Sequence, residues 1–160
     1  MDTKGFQDYY PDDLSHCFGC GRLNSHGHKI KSFWDGDESV TEFTPEHYHI
    51  SIPGYVYGGL IASLIDCHGT GTASAAAYRR QGREMGSEPV LRFVTASLKA
   101  DFLKPTPLGH TLTLRGRIKE MGERKVVVEV LVSIKDTLCV RGEVVSVMMP
   151  ESMKTDASSG

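Results

Sequence analysis

The stretch GYVYGGLIASLIDCHGTGTASAAAY, residues 54–78, limits the folds open to this chain more than any other. From Gly58 to about Arg80 it reads as one long helix, because Leu60, Ile61, Leu64 and Ile65 recur at the i, i+1, i+4, i+5 spacing of an inward face. The remaining circumference is mostly small. Ala62, Gly69, Gly71, Ala73 and Ala75 to Ala77 suggest close contact with a sheet on nearly every side, which makes this a buried helix and not a surface one. Such a helix needs a covering layer. Val90 to Leu103, Thr111 to Glu120, Lys125 to Lys135 and Leu138 to Met149 alternate like strands, separated by breaks at QGREMGSEP, PTPLG, MGE and KD. Two shorter runs, Lys29 to Phe33 and Ser39 to Phe43, flank the turn Asp35-Gly36-Asp37. TPEHYHI reads as a short helical turn opened by Thr44 and Pro45. Strands, one buried helix, then more strands predict an α+β fold with the long helix packed on an antiparallel sheet.

Composition narrows the class. With 160 residues, 39% hydrophobic and 24% charged, the chain can bury a core without disulfide or metal staples. We divide it into an N-terminal arm (1–15, loose or docking), a single domain (16–150) and a frayed polar tail (151–160). A net charge of −2 gives no basic field, which argues against nucleic acid as a partner. No apolar run reaches a membrane span, and the acidic opening MDTKGFQDYYPDD lacks the apolar core of a signal peptide. The four cysteines do not make a secreted disulfide framework. These features point to a soluble cytoplasmic protein with no membrane partner.

Within the helix, Asp66 is the anomaly. A buried carboxylate without a partner costs several kcal/mol, so Asp66 must be paired, hydrogen-bonded or exposed in a cleft. A structural role against Thr70 or a facing backbone, exposure at a subunit seam, and a chemical role all remain open. Gly58 and Gly59 stand at the helix N-terminus, where amides lack intrahelical partners and the dipole is positive. They either let the helix pack closely or let a carbonyl oxygen approach those donors.

YGGLIASLID resembles the HGG…D signature of hotdog-fold acyl-CoA thioesterases of the 4-hydroxybenzoyl-CoA and phenylacetate-pathway type, including the spacing from the second glycine, Gly59, to Asp66. HCFGCG followed by Asn24 and Gly27, the strand SLKADFLKPTPLG and the ladder KVVVEVLVSIKDTLCVRGEVVSVMM extend the resemblance over roughly residues 16–149. The resemblance implies a hotdog fold and hydrolysis of an acyl-CoA thioester to free acid and CoA, with no cofactor. The Gly59 amide, with Gly58, would polarise the thioester carbonyl. Asp66 would act as general base on water or as a nucleophile, and Thr95 would hold the water. The site would lie between two subunits of a homodimer, one supplying the helix N-terminus and the other the carboxylate; further pairing to a homotetramer is left open. Lys104, Arg124 and Lys125 would meet CoA phosphates at the cleft mouth, since a nucleotide tail needs cations at the rim.

The motif's His is replaced by Tyr57, which can donate a hydrogen bond but is a poor proton shuttle at neutral pH. Ser51 is the nearest polar equivalent of the family's loop Asn or Gln. The alternative reading is a non-catalytic acyl-CoA-binding hotdog protein; a hotdog dehydratase is weaker, because neither Tyr57 nor the helix supplies a histidine. Cys17, Cys20, His26 and His28 contain zinc-ligand residue types, but H-x-H is shorter than structural zinc sites use, so no metal is expected. His68 and Cys67 read as packed residues. His68 diverges from Asp66 by roughly 200° around the helix, so the two do not pair.

Overall fold

A computed structural model describes residues 3–157, so the first two and last three positions of the expected arm and tail lie outside the described residues. The strands are β1 (Phe33–Asp35), β2 (Glu38–Phe43), β3 (Phe93–Phe102), β4 (Leu112–Met121), β5 (Lys125–Ile134) and β6 (Thr137–Met148). They form one six-stranded antiparallel sheet in the order β1-β2-β4-β5-β6-β3. Helix α1 (Gly58–Arg80) packs against β3, β4, β5 and β6 of this sheet, the hotdog arrangement.

Alternation explains the sheet's two faces. Val126, Val128, Val130 and Val132 on β5, Leu112 and Leu114 on β4, and Val140 and Val144 on β6 are fully buried against α1. The helix answers with Ile61, Leu64 and Ile65. Small residues set its distance from the sheet: a Cβ at Gly69 would stand 2.5 Å from Val144 Cγ2, and one at Gly142 2.6 Å from Ile65 Cγ2. That closeness is why the helix must be small as well as apolar.

Of the two readings of the N-terminal arm the docking one fits, and three other sequence expectations need correction. The N-terminal arm is not loose, because Phe6, Gln7 and Tyr10 are buried. The Gln7 amide grips Ser32, Oε1 accepting from Ser32 N at 2.8 Å and Nε2 donating to Ser32 Oγ at 3.1 Å. Phe6 N also donates to Ser32 O, so this backbone serves the arm, and the first strand starts at Phe33 instead of Lys29. TPEHYHI forms a hydrogen-bonded turn, His49 N to Glu46 O at 2.9 Å, and no helix. The tail carries a short helix, α2 (Glu151–Ala157), with a Lys154–Glu151 ion pair at 3.0 Å. Among the described residues, no helix is long and apolar enough to cross a membrane.

A buried polar network ties α1 to the sheet. His68 is wholly buried, its Nδ1 2.8 Å from Ser32 Oγ and its Nε2 3.0 Å from Ser39 Oγ; Ser39 Oγ also lies 2.6 Å from Thr72 Oγ1. Burial pushes the His68 pKa from 6.5 down to about 4. The folded form thus refuses a proton that the unfolded chain accepts. Stability from this group is fully present above about pH 6.5 and falls by about 1.4 kcal/mol per unit as pH drops toward 4, about 3 kcal/mol in all. Urea midpoints of wild type and His68→Gln at pH 7 and pH 5 test this. The wild type should lose more between them, and an equal loss in both proteins would refute it.

Candidate active site

The first turn of α1 opens the site. Tyr57 is the N-cap residue and makes no side-chain cap, so the Gly58 and Gly59 amides keep the free donors of a helix start. The Tyr57 ring folds back over Gly59: a Cβ there would stand 2.5 Å from the ring's Cε1 and 2.7 Å from its hydroxyl. Phenol and free amides thus share one small space. Tyr57 N donates to His49 O at 3.0 Å, which ties this space to the turn of residues 46–49.

Two cavities flank that helix start, each of roughly 600 Å³. The first meets Gly59 and Tyr57 and is walled by Phe18, His28, Phe43 and His49. Its rings pack edge to face, with His28 5.4 Å from both Phe43 and His49. Burial, then the neighbouring His49, pushes the His28 pKa down and so favours the neutral imidazole. Glu46 N donates to His49 Nδ1 at 2.8 Å, leaving Nε2 for another partner. The second cavity meets Gly58 and is lined by Ser51, Tyr55, Ile61, Phe102 and Lys104.

Asp66 lies two turns along α1, half-buried, and Thr95 Oγ1 donates a hydrogen bond to its Oδ1. Thr70 Oγ1 donates to the main-chain oxygens of Asp66 and Cys67 and leaves the carboxylate alone, so the structural pairing of Asp66 with Thr70 does not occur. Thr95 is exposed on β3, the edge strand beyond β6, immediately before a bulge between Thr95 and Ser97. Bulges re-aim neighbouring side chains.

The expected residues therefore assemble only in part. Asp66 joins Thr95; Gly59 joins Tyr57; Gly58 joins Ser51 and Lys104. Asp66 lies seven helical steps beyond Gly59, a rise of about 10 Å, too far for one carbonyl carbon to serve both. Arg124 lies at the other end of α1, in a cavity with Ala77, Arg80 and Gln81, and Lys125 pairs with Glu120 at 3.5 Å. Within one chain neither joins Lys104. Ser51 also sits away from the cavity that meets Gly59, because residues 51–55 fold over the opposite side of the helix start. Sequence reasoning found no histidine near the glycines, whereas the fold brings His28 and His49 there. His28 follows the HCFGCG turn, where the sequence offers it only as a metal-ligand type, and His49 stands in TPEHYHI, whose local pattern is helical.

Known proteins agree with this architecture. The profile of the "Thioesterase superfamily" matches residues 53–141, more than half of the chain. A thioesterase superfamily protein from Shewanella loihica PV-4, known from a crystal structure, is 51% identical, with a TM-score of 0.64 over 79% of this chain and 96% of its own. The acyl-coenzyme A thioesterase THEM4 of Xenopus laevis is 31% identical over 87 residues, 54% of this chain but only 33% of that relative's length. A hypothetical thioesterase from Streptococcus pneumoniae TIGR4, solved with coenzyme A, shares the fold at 17% identity, with a TM-score of 0.60 over 75% of this chain and 86% of its own.

Proposed function

Because the chain belongs to the thioesterase superfamily, we propose that it hydrolyses an acyl-CoA thioester to free acid and CoA at a site completed by a second copy of the chain. The observation that carries this reading is the Thr95–Asp66 hydrogen bond: a half-buried carboxylate, unpaired with any cation among the described residues, is aimed toward an exposed strand edge. In the proposed reaction the Gly59 amide, supported by the Tyr57 phenol, binds the thioester oxygen. Asp66 takes a proton from water held by Thr95, the water oxygen attacks the carbonyl carbon, and the C–S bond breaks to release CoA as the thiolate. In the nucleophilic variant the carboxylate attacks first and water then cleaves the mixed anhydride.

Two features of the geometry support a second copy. The Gly59 amide and the Asp66 carboxylate of one chain are too far apart, and β3 is a ten-residue edge strand whose residues 95–99 are exposed. A long open edge is a ready template for another chain, and a two-fold axis is the commonest way to use it. Lys104 beside the Gly58 cavity is the cation we assign to the CoA phosphates, with Arg124 and Lys125 contributing only if a partner brings them near. The CoA-bound relative supports CoA as the carrier. Tyr57 in the His position favours the second reading, an acyl-CoA-binding protein without hydrolysis.

Release of free thiol from a panel of short-chain, long-chain and aromatic acyl-CoAs decides between them. We expect turnover of at least one substrate by a species with the mass of a dimer or a multiple of it. Binding without thiol release would select the second reading. A monomeric mass at micromolar protein would remove the shared site.

A further inference from the structure

Outside the two cavities that flank the glycines, three thiols from distant parts of the chain meet. Cys17 and Cys20 belong to the turn HCFGCG, and Cys67 lies on α1. Their Sγ atoms all lie within 4.8 Å of one another, with Cys17 and Cys67 3.7 Å apart. The fourth cysteine, Cys139, is buried on β6 and takes no part.

We propose that Cys17, Cys20 and Cys67 form a thiolate site for a soft divalent metal ion, zinc being the ion whose geometry fits. Zinc with bonds of about 2.3 Å to sulfur sets tetrahedral thiolates about 3.8 Å apart, so the Cys17–Cys67 pair already has the required spacing and Cys20 needs a shift of about 1 Å at most. Each thiol loses its proton to solvent as its sulfur binds, so uptake of one ion by three thiols releases up to three protons. Cys17 is the one partly exposed member, which leaves the fourth corner of the tetrahedron to water on its side.

Three further features suit a thiolate site. The turn is closed by Gly21 N donating to Cys17 O at 2.7 Å, which brings Cys17 and Cys20 together. Gly19 has no Cβ because one would stand 2.3 Å from Cys67 Sγ; its absence lets the turn lie directly on the helix. Three thiolates on a divalent ion carry one net negative charge. Arg92, whose guanidinium stands 4.5 Å over the Tyr10 ring and has no carboxylate partner among the described residues, is the cation we assign to offset it. His26 and His28, the companions that C-x2-C would seek in sequence, line the aromatic cavity instead, and Cys67 takes their place. Bound metal would pin the turn to α1 one residue beyond Asp66 and so hold Phe18 and His28, two walls of the cavity that meets Gly59. This site does not depend on the proposed hydrolysis.

The test uses the whole reduced chain. Protein prepared with zinc and dialysed should retain close to one ion per chain by elemental analysis. Cobalt(II) added to zinc-stripped protein should give thiolate-to-cobalt charge-transfer absorption and the visible bands of tetrahedral cobalt. Cys17→Ser and Cys20→Ser should each lower retained metal at least about tenfold, and Cys139→Ser should not. Since Cys67 is packed in the core, the partly exposed Cys17 is the decisive position, with circular dichroism verifying the fold. Reduced wild type that binds neither ion, equal loss in Cys139→Ser, or unchanged retention in the Cys17→Ser/Cys20→Ser double variant would each overturn the proposal.

Discussion

Asp66→Asn is expected to lower the turnover of an acyl-CoA substrate by about 10²–10⁴, or roughly 3–5 kcal/mol of barrier, while leaving the fold and acyl-CoA binding intact. Asn is nearly isosteric, and its Oδ1 can still accept the hydrogen bond that Thr95 Oγ1 donates to the carboxylate. What it loses is the capacity to take a proton from water or to attack a thioester. Two milder variants calibrate the result. Tyr57→Phe should cost about tenfold or less, since the Gly59 amide still binds the oxygen and a net hydrogen bond contributes about 1 kcal/mol. Thr95→Val should act through the position of water and carboxylate at a similar cost of about tenfold. Steady-state rates with each purified variant make the comparison, and wild-type turnover in Asp66→Asn would make that residue structural. In the nucleophilic variant a rapidly quenched turnover will carry the acyl group on Asp66 as a mass adduct; the general-base variant forms none.

Gly116→Ala should be the most destabilising conservative change on the sheet. Gly116 on β4 faces Ser39 on β2, and a Cβ there would stand 2.3 Å from Ser39 Oγ, 3.2 Å from His68 Nε2 and 3.3 Å from Thr72 Oγ1. Ser39 cannot retreat without abandoning His68 and Thr72, which would leave buried polar atoms unpaired. Overpacking costs about 1–3 kcal/mol and the lost hydrogen bonds a similar amount, so a total of about 2–5 kcal/mol is expected. Against a domain stability of about 5–15 kcal/mol that is a large fraction. Denaturant midpoints measure it, and adding Ser39→Ala should recover part of the loss, because the hydroxyl that clashes is gone. A wild-type midpoint for Gly116→Ala would show that β2 yields freely there.

The buried helix was legible to its ends, Gly58 and Arg80, because its apolar spacing and small residues follow from local geometry alone. The last four strands were legible to within a few residues for the same reason: alternation along a strand is written in the strand itself. Local pattern was insufficient where a segment's partner lies elsewhere. Lys29 to Ser32 alternates like a strand, yet Ser32 spends its backbone on Phe6 and Gln7. The polar tail gave no apolar stripe, and its first residues still form a helix.

The site divides along the same line. The sequence by itself determined which residue types were available: two glycines at a helix start, a carboxylate two turns on, and a pair of cysteines in a tight turn. Only the tertiary structure decided which of them meet. It set Thr95 on Asp66, His28 and His49 near Gly59, and Cys67 against Cys17 and Cys20. Such meetings depend on strand register, on one bulge after Thr95 and on the height of the helix above the sheet. A slip of one residue in β3 would carry Thr95 to the other face, while the alternation of the strand would read almost the same.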